Sequence, residues 1–318
     1  MSNVEKYKVF ASNSAYQIRL ASDEEIINRA EIVYDAQRLI SKNNTLDSGL
    51  FGATLMNPIC DICYNRVEDC PGHYAVIQLP FPIVRAICLK DFKLLIPIIC
   101  PICSALLCPN VQNALELAPE NRLDWVRKES DKFTKSGEQV VSCPRCNRKI
   151  SVMKILQLEP TLRIGIVNNN TNQADQVSPI WIQLALQSFN QIDEIGFSRN
   201  YHPKNFMTSV IPIIPNKLRP KTITSSESTL TSYYRVIIEE ICPELTKIYK
   251  TLSAKYSPVI PRGDLANVFN KFYDRLMAYY LLITDMGTEK TRELELQLIE
   301  KRDRKHVDVH NSLIGRFK

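Results

Sequence analysis

The chain has 318 residues, 45% of them hydrophobic and 23% charged, with a formal net charge of +6. That length and apolar content can build cores for two or three domains. No apolar run is long enough to span a bilayer, MSNVEKYKVF shows no signal-peptide pattern, and no short disulfide framework is present, so the expectation is an intracellular protein.

The first predicted element is a helix of about a dozen residues, opened by a Ser22-x-x-Glu25 capping box with Ile26, Ile27, Ala30 and Val33 on one face. The turn-rich stretch SKNNTLDSG separates it from CDICYNRVEDCPGH. There, Cys60-x2-Cys63 and Cys70-x2-His73 supply two thiolates from one tight turn and a Cys/His pair from a second. Zinc takes four S or N ligands, and pairs two residues apart are how a knuckle presents them. Pro71-Gly72 favours such a turn, because it needs tight or left-handed backbone.

A strand is expected over 74–79, then a helix containing Val84, Ile87 and Cys88, then the apolar run 94–99. Cys100-x2-Cys103 and Cys143-x2-Cys146 each begin with a Cys-Pro turn and make a second four-cysteine zinc set. The stretch between them is longer than a usual zinc ribbon, which leaves Cys108 as a competing ligand and redox chemistry as an alternative. Redox use would need a βαβ context that neither pair has. Cys88, Cys108 and Cys242 lie in apolar surroundings and read as buried small hydrophobes.

The polar insertion 119–138 is partly helical, and Pro179 opens an apolar helix reaching Phe189. The segment IPIIPNKLRP, 211–220, cannot be a helix, since each proline removes a donor and restricts its predecessor; it is expected to be extended and edge-like. Leu245, Ile248, Tyr249 and Leu252 repeat at helical spacing, with Pro243 in the first turn of that helix. Leu265, Val268, Phe269, Phe272, Leu276, Tyr279 and Ile283 repeat likewise, with Asp264 as N-cap. Joined by SPVIPRGD, the two helices should form an antiparallel hairpin, unless both stripes simply bury into a globular core.

Positive charge gathers in three places. Residues 142–158 carry Arg145, Arg148, Lys149 and Lys154 without an acid, and 216–224 carry Lys217, Arg219 and Lys221 without one. The tail has Lys301, Arg302, Arg304, Lys305, Arg316 and Lys318 against Asp303 and Asp308. Basic stretches are often only solvated faces; beside two zinc sets they raise nucleic-acid contact as a function.

The order of motifs resembles the N-terminal part of the largest subunit of multisubunit DNA-directed RNA polymerase, of eukaryotic, archaeal or large-DNA-virus type. SDEEIINRAEIVYD resembles that family's opening "LSPEEIR" helix. DSGLFGA stands where "DPRLG" lies. CDICYNRVEDCPGHYAVIQLPFPI resembles "CxxCxxxxxxCPGHFGxIxLxxPV", and CPICSALLC resembles the next Cys pair. HPKNFMTSVIPIIPNKLRPKTI resembles "HPExxIxxxLPVPPxxVRPSI", with Arg219-Pro220 on its Arg-Pro. NSLIGRFK resembles the start of "NLxGKRVDFSART".

The resemblance implies an α+β fold: a zinc-stapled clamp with small antiparallel sheets and a projecting antiparallel helical hairpin. Its parts would be an N-terminal clamp-core segment over 1–57 and a two-zinc region over 58–158. A clamp core with the Pro-rich segment and a lid-like loop would follow over 159–229, then the hairpin over 230–284. A truncated rudder-like and hinge segment would occupy 285–318. By position, 224–233 resembles the lid and 286–296 the rudder.

Implied partners are template DNA and the RNA–DNA hybrid, the second-largest and other polymerase subunits, the remainder of the largest subunit, and transcription factors at the hairpin. Lys217, Arg219 and the six tail cations would face nucleic acid. Implied cofactors are two zinc ions here and magnesium outside this chain, since the family's Asn-Ala-Asp-Phe-Asp-Gly-Asp loop has no counterpart in this sequence. The chain would therefore be a split subunit or a fragment, a component of a nucleotidyltransferase and inactive alone, working in a nucleus or, if viral, in host cytoplasm or virion. The competing class is an independent zinc-binding nucleic-acid or protein adaptor.

Overall fold

The computed structural model describes residues 20–34, 53, 58–134, 140–157, 162–168, 173–219, 229–253 and 258–284. The tail cations, the rudder-like stretch, DSGLFGA apart from Ala53, and the 224–228 part of the lid-like stretch lie outside these residues.

In chain order, α1 is Asp23–Asn28 and β1 is Ile32–Tyr34. The long strand β2, Ala75–Val84, passes through a 3-10 turn at Ala86–Cys88 into α2, Leu89–Leu95. Then come α3 (Pro119–Thr134), β3 (Val140–Ser142), β4 (Lys149–Ser151), β5 (Met153–Gln157), β6 (Arg163–Asn168) and β7 (Gln173–Gln176). Helix α4 is Pro179–Gln187 and β8 is Met207–Ile213. Helix α5, Thr229–Val236, runs through a π-helical segment, Ile237–Ile241, into α6, Cys242–Ser253; α7 is Asp264–Thr284.

The capping box at Ser22 forms as expected: Ser22 Oγ accepts from the Glu25 amide and Glu25 Oε2 from the Ser22 amide. The helix nevertheless ends at Asn28. Ile32, Val33 and Tyr34, β-branched or aromatic, are taken instead by a parallel pairing on β2, where Ile32 stands opposite Ala75. The sequence period favoured a longer helix; a partner strand some forty residues away overrode it. This parallel pair also departs from the expectation of purely antiparallel sheets.

Strand β2 is the spine of the molecule. It lies between β1 and β8 and pairs antiparallel with β8, Ala75 opposite Ile213 and Val84 opposite Met207, with the register shifting between Gln78 and Ile83. Pro80 and Pro82 fall in that irregular stretch, where missing amide donors cost no ladder bonds. Strand β8 is an edge, so Pro212 is tolerated in it, and the Pro-rich segment is extended up to a 3-10 turn at Asn216–Leu218. Two further small antiparallel sheets are β3–β4 and β5–β6–β7.

One core lies between the β2–β8 face and the C-terminal helices, with Phe81 edge-on to both Phe269 and Tyr249. Burying an aromatic such as Phe81 contributes about 1.5–3 kcal/mol. Tyr233 meets Tyr279 and Arg275 pairs with Glu240, so α5–α6 and α7 run antiparallel along each other. Both helices are half-sunk in this core rather than free of it. Pro243 sits inside a continuous helix, not at its start. The π segment Ile237–Ile241 lies directly before it, where a proline's missing amide leaves the regular ladder incomplete. Asp264 is the first helical residue of α7 rather than its cap. A second core joins α2, α3 and α4.

Candidate metal centres

Three Cys-x2-Cys turns fold alike. In each, the first cysteine's amide bonds to the carbonyl five residues on: Cys60 to Asn65, Cys100 to Ala105, Cys143 to Arg148. The residue four on returns its amide to the first cysteine's carbonyl, and that residue is left-handed: Tyr64 (φ 57°), Ser104 (φ 58°) and Asn147 (φ 55°). Only Asn147 advertises this conformation in sequence. Closing the turn aims amides at sulfur. Ile62 and Cys63 donate to Cys60 Sγ at 3.4 and 3.5 Å, and Ile102 to Cys100 Sγ at 3.4 Å. In the fourth pair, Gly72 (φ 87°) donates to Cys70 Sγ at 3.4 Å. Such donors stabilise thiolate over thiol.

The folded chain gathers two sets of ligand atoms, each within 4.8 Å of one another: Cys60, Cys63, Cys70 and His73, and Cys100, Cys103, Cys143 and Cys146. All eight predicted ligands therefore converge in the predicted groups, and Cys108 displaces none. In the second set, Sγ of Cys100 and Cys146 are 4.0 Å apart and those of Cys103 and Cys143 are 3.6 Å apart. A tetrahedron with metal–sulfur bonds of about 2.3 Å has edges of about 3.8 Å. In the first set, His73 is buried; its Nδ1 lies 2.8 Å from Glu31 Oε1, while Nε2 has no hydrogen-bond partner among the described residues. An imidazole nitrogen left open beside three thiols is what zinc requires, so both donor sets fit that ion.

The thiols differ in how readily they ionise. Burial raises Cys70, but amides of Ala53 and Gly72 with neighbouring Cys63 and Cys60 outweigh it and bring it to about 7. The Arg148 amide leads the contacts that bring Cys146 to about 7, whereas burial pushes Cys100 and Cys103 up. Four crowded thiols do not ionise together unaided, and a divalent cation supplies the opposing charge. Outside the clusters, burial lifts Cys88 to about 11 and Cys242 to about 12, and raises Cys108. These three are inert core thiols, as the sequence indicated.

The proposed nucleic-acid residues separate. Lys217 is exposed, and its Nζ reaches the Val67 carbonyl of the first knuckle at 3.4 Å. Arg219 is only 4% exposed. Its Nε donates to the Ile214 carbonyl at 2.9 Å, its Nη1 to Thr231 Oγ1 at 3.0 Å, and its guanidinium lies 5.8 Å from the Tyr234 ring centre. A guanidinium engaged in this way fastens the Pro-rich segment to α5 and offers little to a phosphate, which corrects the expectation for it. Leu230 and Tyr233 of the lid-like stretch are likewise buried in helix α5. Arg145, Arg148, Lys149 and Lys154 are exposed around the second centre.

Sequence reasoning missed Glu31, which it placed mid-helix, and Asp23. Asp23 accepts from Thr208 Oγ1 and the Ser209 amide, both at 2.6 Å, and pairs with Arg85, fastening α1 to β8. No local signal announces either, since both partners are remote in sequence.

A family model described as RNA polymerase Rpb1, domain 1, matches residues 10–256. Curated relatives include a DNA-directed RNA polymerase subunit Rpo1N of Thermoplasma acidophilum, 25% identical over 54% of this chain and 20% of its own length. A probable DNA-directed RNA polymerase II subunit RPB1 homolog of Invertebrate iridescent virus 6 is 25% identical over 52% of this chain and 17% of its own. A DNA-directed RNA polymerase RPB1 homolog of African swine fever virus is 18% identical over 96% of this chain and 22% of its own. The chain thus spans about a fifth of the length of these relatives.

Proposed function

This chain belongs to the RNA polymerase Rpb1 domain 1 family, as an N-terminal portion of the largest subunit, and from that premise we propose that it is the zinc-organised clamp of a DNA-directed RNA polymerase. The clamp would close over template DNA and the RNA–DNA hybrid during transcription. The observation that carries this reading is the pairing of the family match with two four-ligand clusters inside the matched residues.

Cys60, Cys63, Cys70 and His73 would hold one zinc ion, and Cys100, Cys103, Cys143 and Cys146 the other. Four protein ligands leave no open position for water, so each ion would supply crosslinking rather than hydrolysis. The first centre fixes the turn between Ala53 and β2; the second closes the loop that carries α3 and starts the β3–β4 ribbon. Between them β2 and the helical pair α5–α6/α7 give a body whose exposed helix faces are available to transcription factors. Lys217 and the tail cations Lys301, Arg302, Arg304, Lys305, Arg316 and Lys318 are the proposed phosphate contacts; Arg219 has the structural role described above.

Nucleotidyl transfer would use magnesium held by carboxylates elsewhere in the complete enzyme, and this chain would be inactive alone. No helix among the described residues is long and apolar enough to cross a membrane. An intracellular setting, nuclear or in viral host cytoplasm, follows from the proposed template. Affinity purification of the tagged chain from its own cells tests the proposal. The second-largest subunit and the catalytic remainder of the largest should co-purify. A chain that purifies with neither, but with an unrelated zinc-dependent partner, would favour the adaptor reading.

A further inference from the structure

Three observations converge on Glu31. Its backbone amide donates to the Tyr74 carbonyl at 2.9 Å, the first rung of the parallel β1–β2 pairing that continues with Ile32 opposite Ala75. Its Oε1 lies 2.8 Å from His73 Nδ1. The other ring nitrogen of the buried His73 has no hydrogen-bond partner among the described residues, and His73 gathers with Cys60, Cys63 and Cys70 in one cluster.

A carboxylate on Nδ1 fixes the tautomer in which Nδ1 carries the proton and Nε2 presents its lone pair. It also fixes the plane of the ring. The Glu31 side chain is itself 42% exposed against 6% for His73, so as an ion pair the contact would contribute little, and its effect lies in orienting the ring. Here the strand register holds the carboxylate backbone, and burial holds the ring.

We infer that Glu31 is a positioning residue of the first metal centre, so that metal loading and docking of the N-terminal strand are coupled through the Glu31–His73 contact. This rests on the zinc reading of that centre. The coupling has room to be felt, because the described residues 20–34 bury little of their own: α1 contributes no buried residue and β1 only Tyr34, with Leu20 and Ile32 partly buried. Polar contacts at Asp23 and Glu31 therefore contribute to its attachment, beside those of the Leu20 and Ala21 backbone. Coupling between two binding events is reciprocal, so strand docking should tighten zinc as much as zinc tightens the strand.

The test uses the full chain loaded with zinc and titrated with a competing chelator, alongside Glu31→Ala and Glu31→Gln. Loss of this contact should loosen one of two zinc ions about 10- to 100-fold. The other ion, in the four-cysteine set, serves as internal control and should be unchanged. Glu31→Gln keeps an acceptor for Nδ1–H and should recover most of the loss. In the wild type, hydrogen exchange over 20–34 should speed up when the first zinc is stripped. Glu31→Ala with both ions held as in wild type, or exchange over 20–34 that ignores zinc, would overturn the inference while leaving the zinc reading intact. A wild-type chain with no zinc in the first set would overturn both.

Discussion

Gly72 of the first knuckle lies directly against Pro215 of the Pro-rich segment: a methyl group on Gly72 would stand 2.6 Å from the Pro215 Cβ. Two motifs remote from each other in the chain are thus seated on each other, with Lys217 reaching back to Val67 beside them. Each forms part of the other's surroundings.

Gly72→Ala should therefore destabilise the fold. The left-handed backbone (φ 87°) costs about 1–3 kcal/mol for a residue with a side chain, and the displaced proline adds about 1–3 kcal/mol of overpacking. Denaturant melts of the zinc-saturated protein should show a lower midpoint than wild type. An unchanged midpoint would mean that the two motifs are not in contact.

Arg219 makes the opposite kind of prediction from its neighbour Lys217. Arg219→Ala removes the guanidinium that donates to the Ile214 carbonyl and the Thr231 hydroxyl and lies over the Tyr234 ring. Arg219→Ala should cost about 2–3 kcal/mol of stability, and Arg219→Lys should not restore it, because an ammonium lacks the planar fork. Lys217→Ala should leave stability within about 0.5 kcal/mol. If Arg219→Ala instead leaves the melt unchanged and weakens DNA binding, the residue is a phosphate contact after all.

Stability should fall in alkali. Burial raises Cys88 from an ordinary 9.0 to about 11, Cys242 to about 12, and Tyr34 from 10.0 to about 12. Each folded-state value exceeds the unfolded one, so the stabilisation is complete below about pH 9 and is lost as pH rises through 11 to 12. The slope is about 1.4 kcal/mol per pH unit for each group. Unfolding free energy measured between pH 8 and 11 should decline, and Cys242→Ala should make the decline shallower above pH 9. A flat profile would contradict the burial of these groups.

The tail makes a prediction only within the assembled enzyme. Replacing Arg302, Arg304 and Arg316 by Ala should weaken template binding uniformly across sequences. The slope of log affinity on log salt should flatten by about one unit per lost phosphate contact. Identical binding and slope would make the tail a solvated connector whose charges are met by Glu293, Glu295 and Glu300.

The convergence of the eight candidate ligands was legible in sequence because it is built locally: each pair closes a turn within a few residues. The same holds for the capping box at Ser22 and for the helices α4, α6 and α7, although the buried face of α7 is turned from the predicted stripe: Tyr273, Met277 and Tyr280 are buried beside Phe269 and Leu276, while Val268, like Tyr249 of α6, is exposed. What stayed hidden depends on remote partners. Ile32–Tyr34 became strand only because β2 was there to pair, and that pairing delivered Glu31 to His73. The role of Arg219 was set by Thr231 and Tyr234 on a later helix. Pro243 read as a helix start because sequence rules omit the π turn that precedes it.

Metal content tests the account most directly. Protein purified with zinc and washed free of loosely bound metal should contain two zinc ions per chain by elemental analysis. Stronger chelation should unfold it, since each structural site contributes binding free energy on the order of 10 kcal/mol to folding. One zinc per chain would remove one of the two centres. A chain that stays folded with no metal would contradict the account altogether.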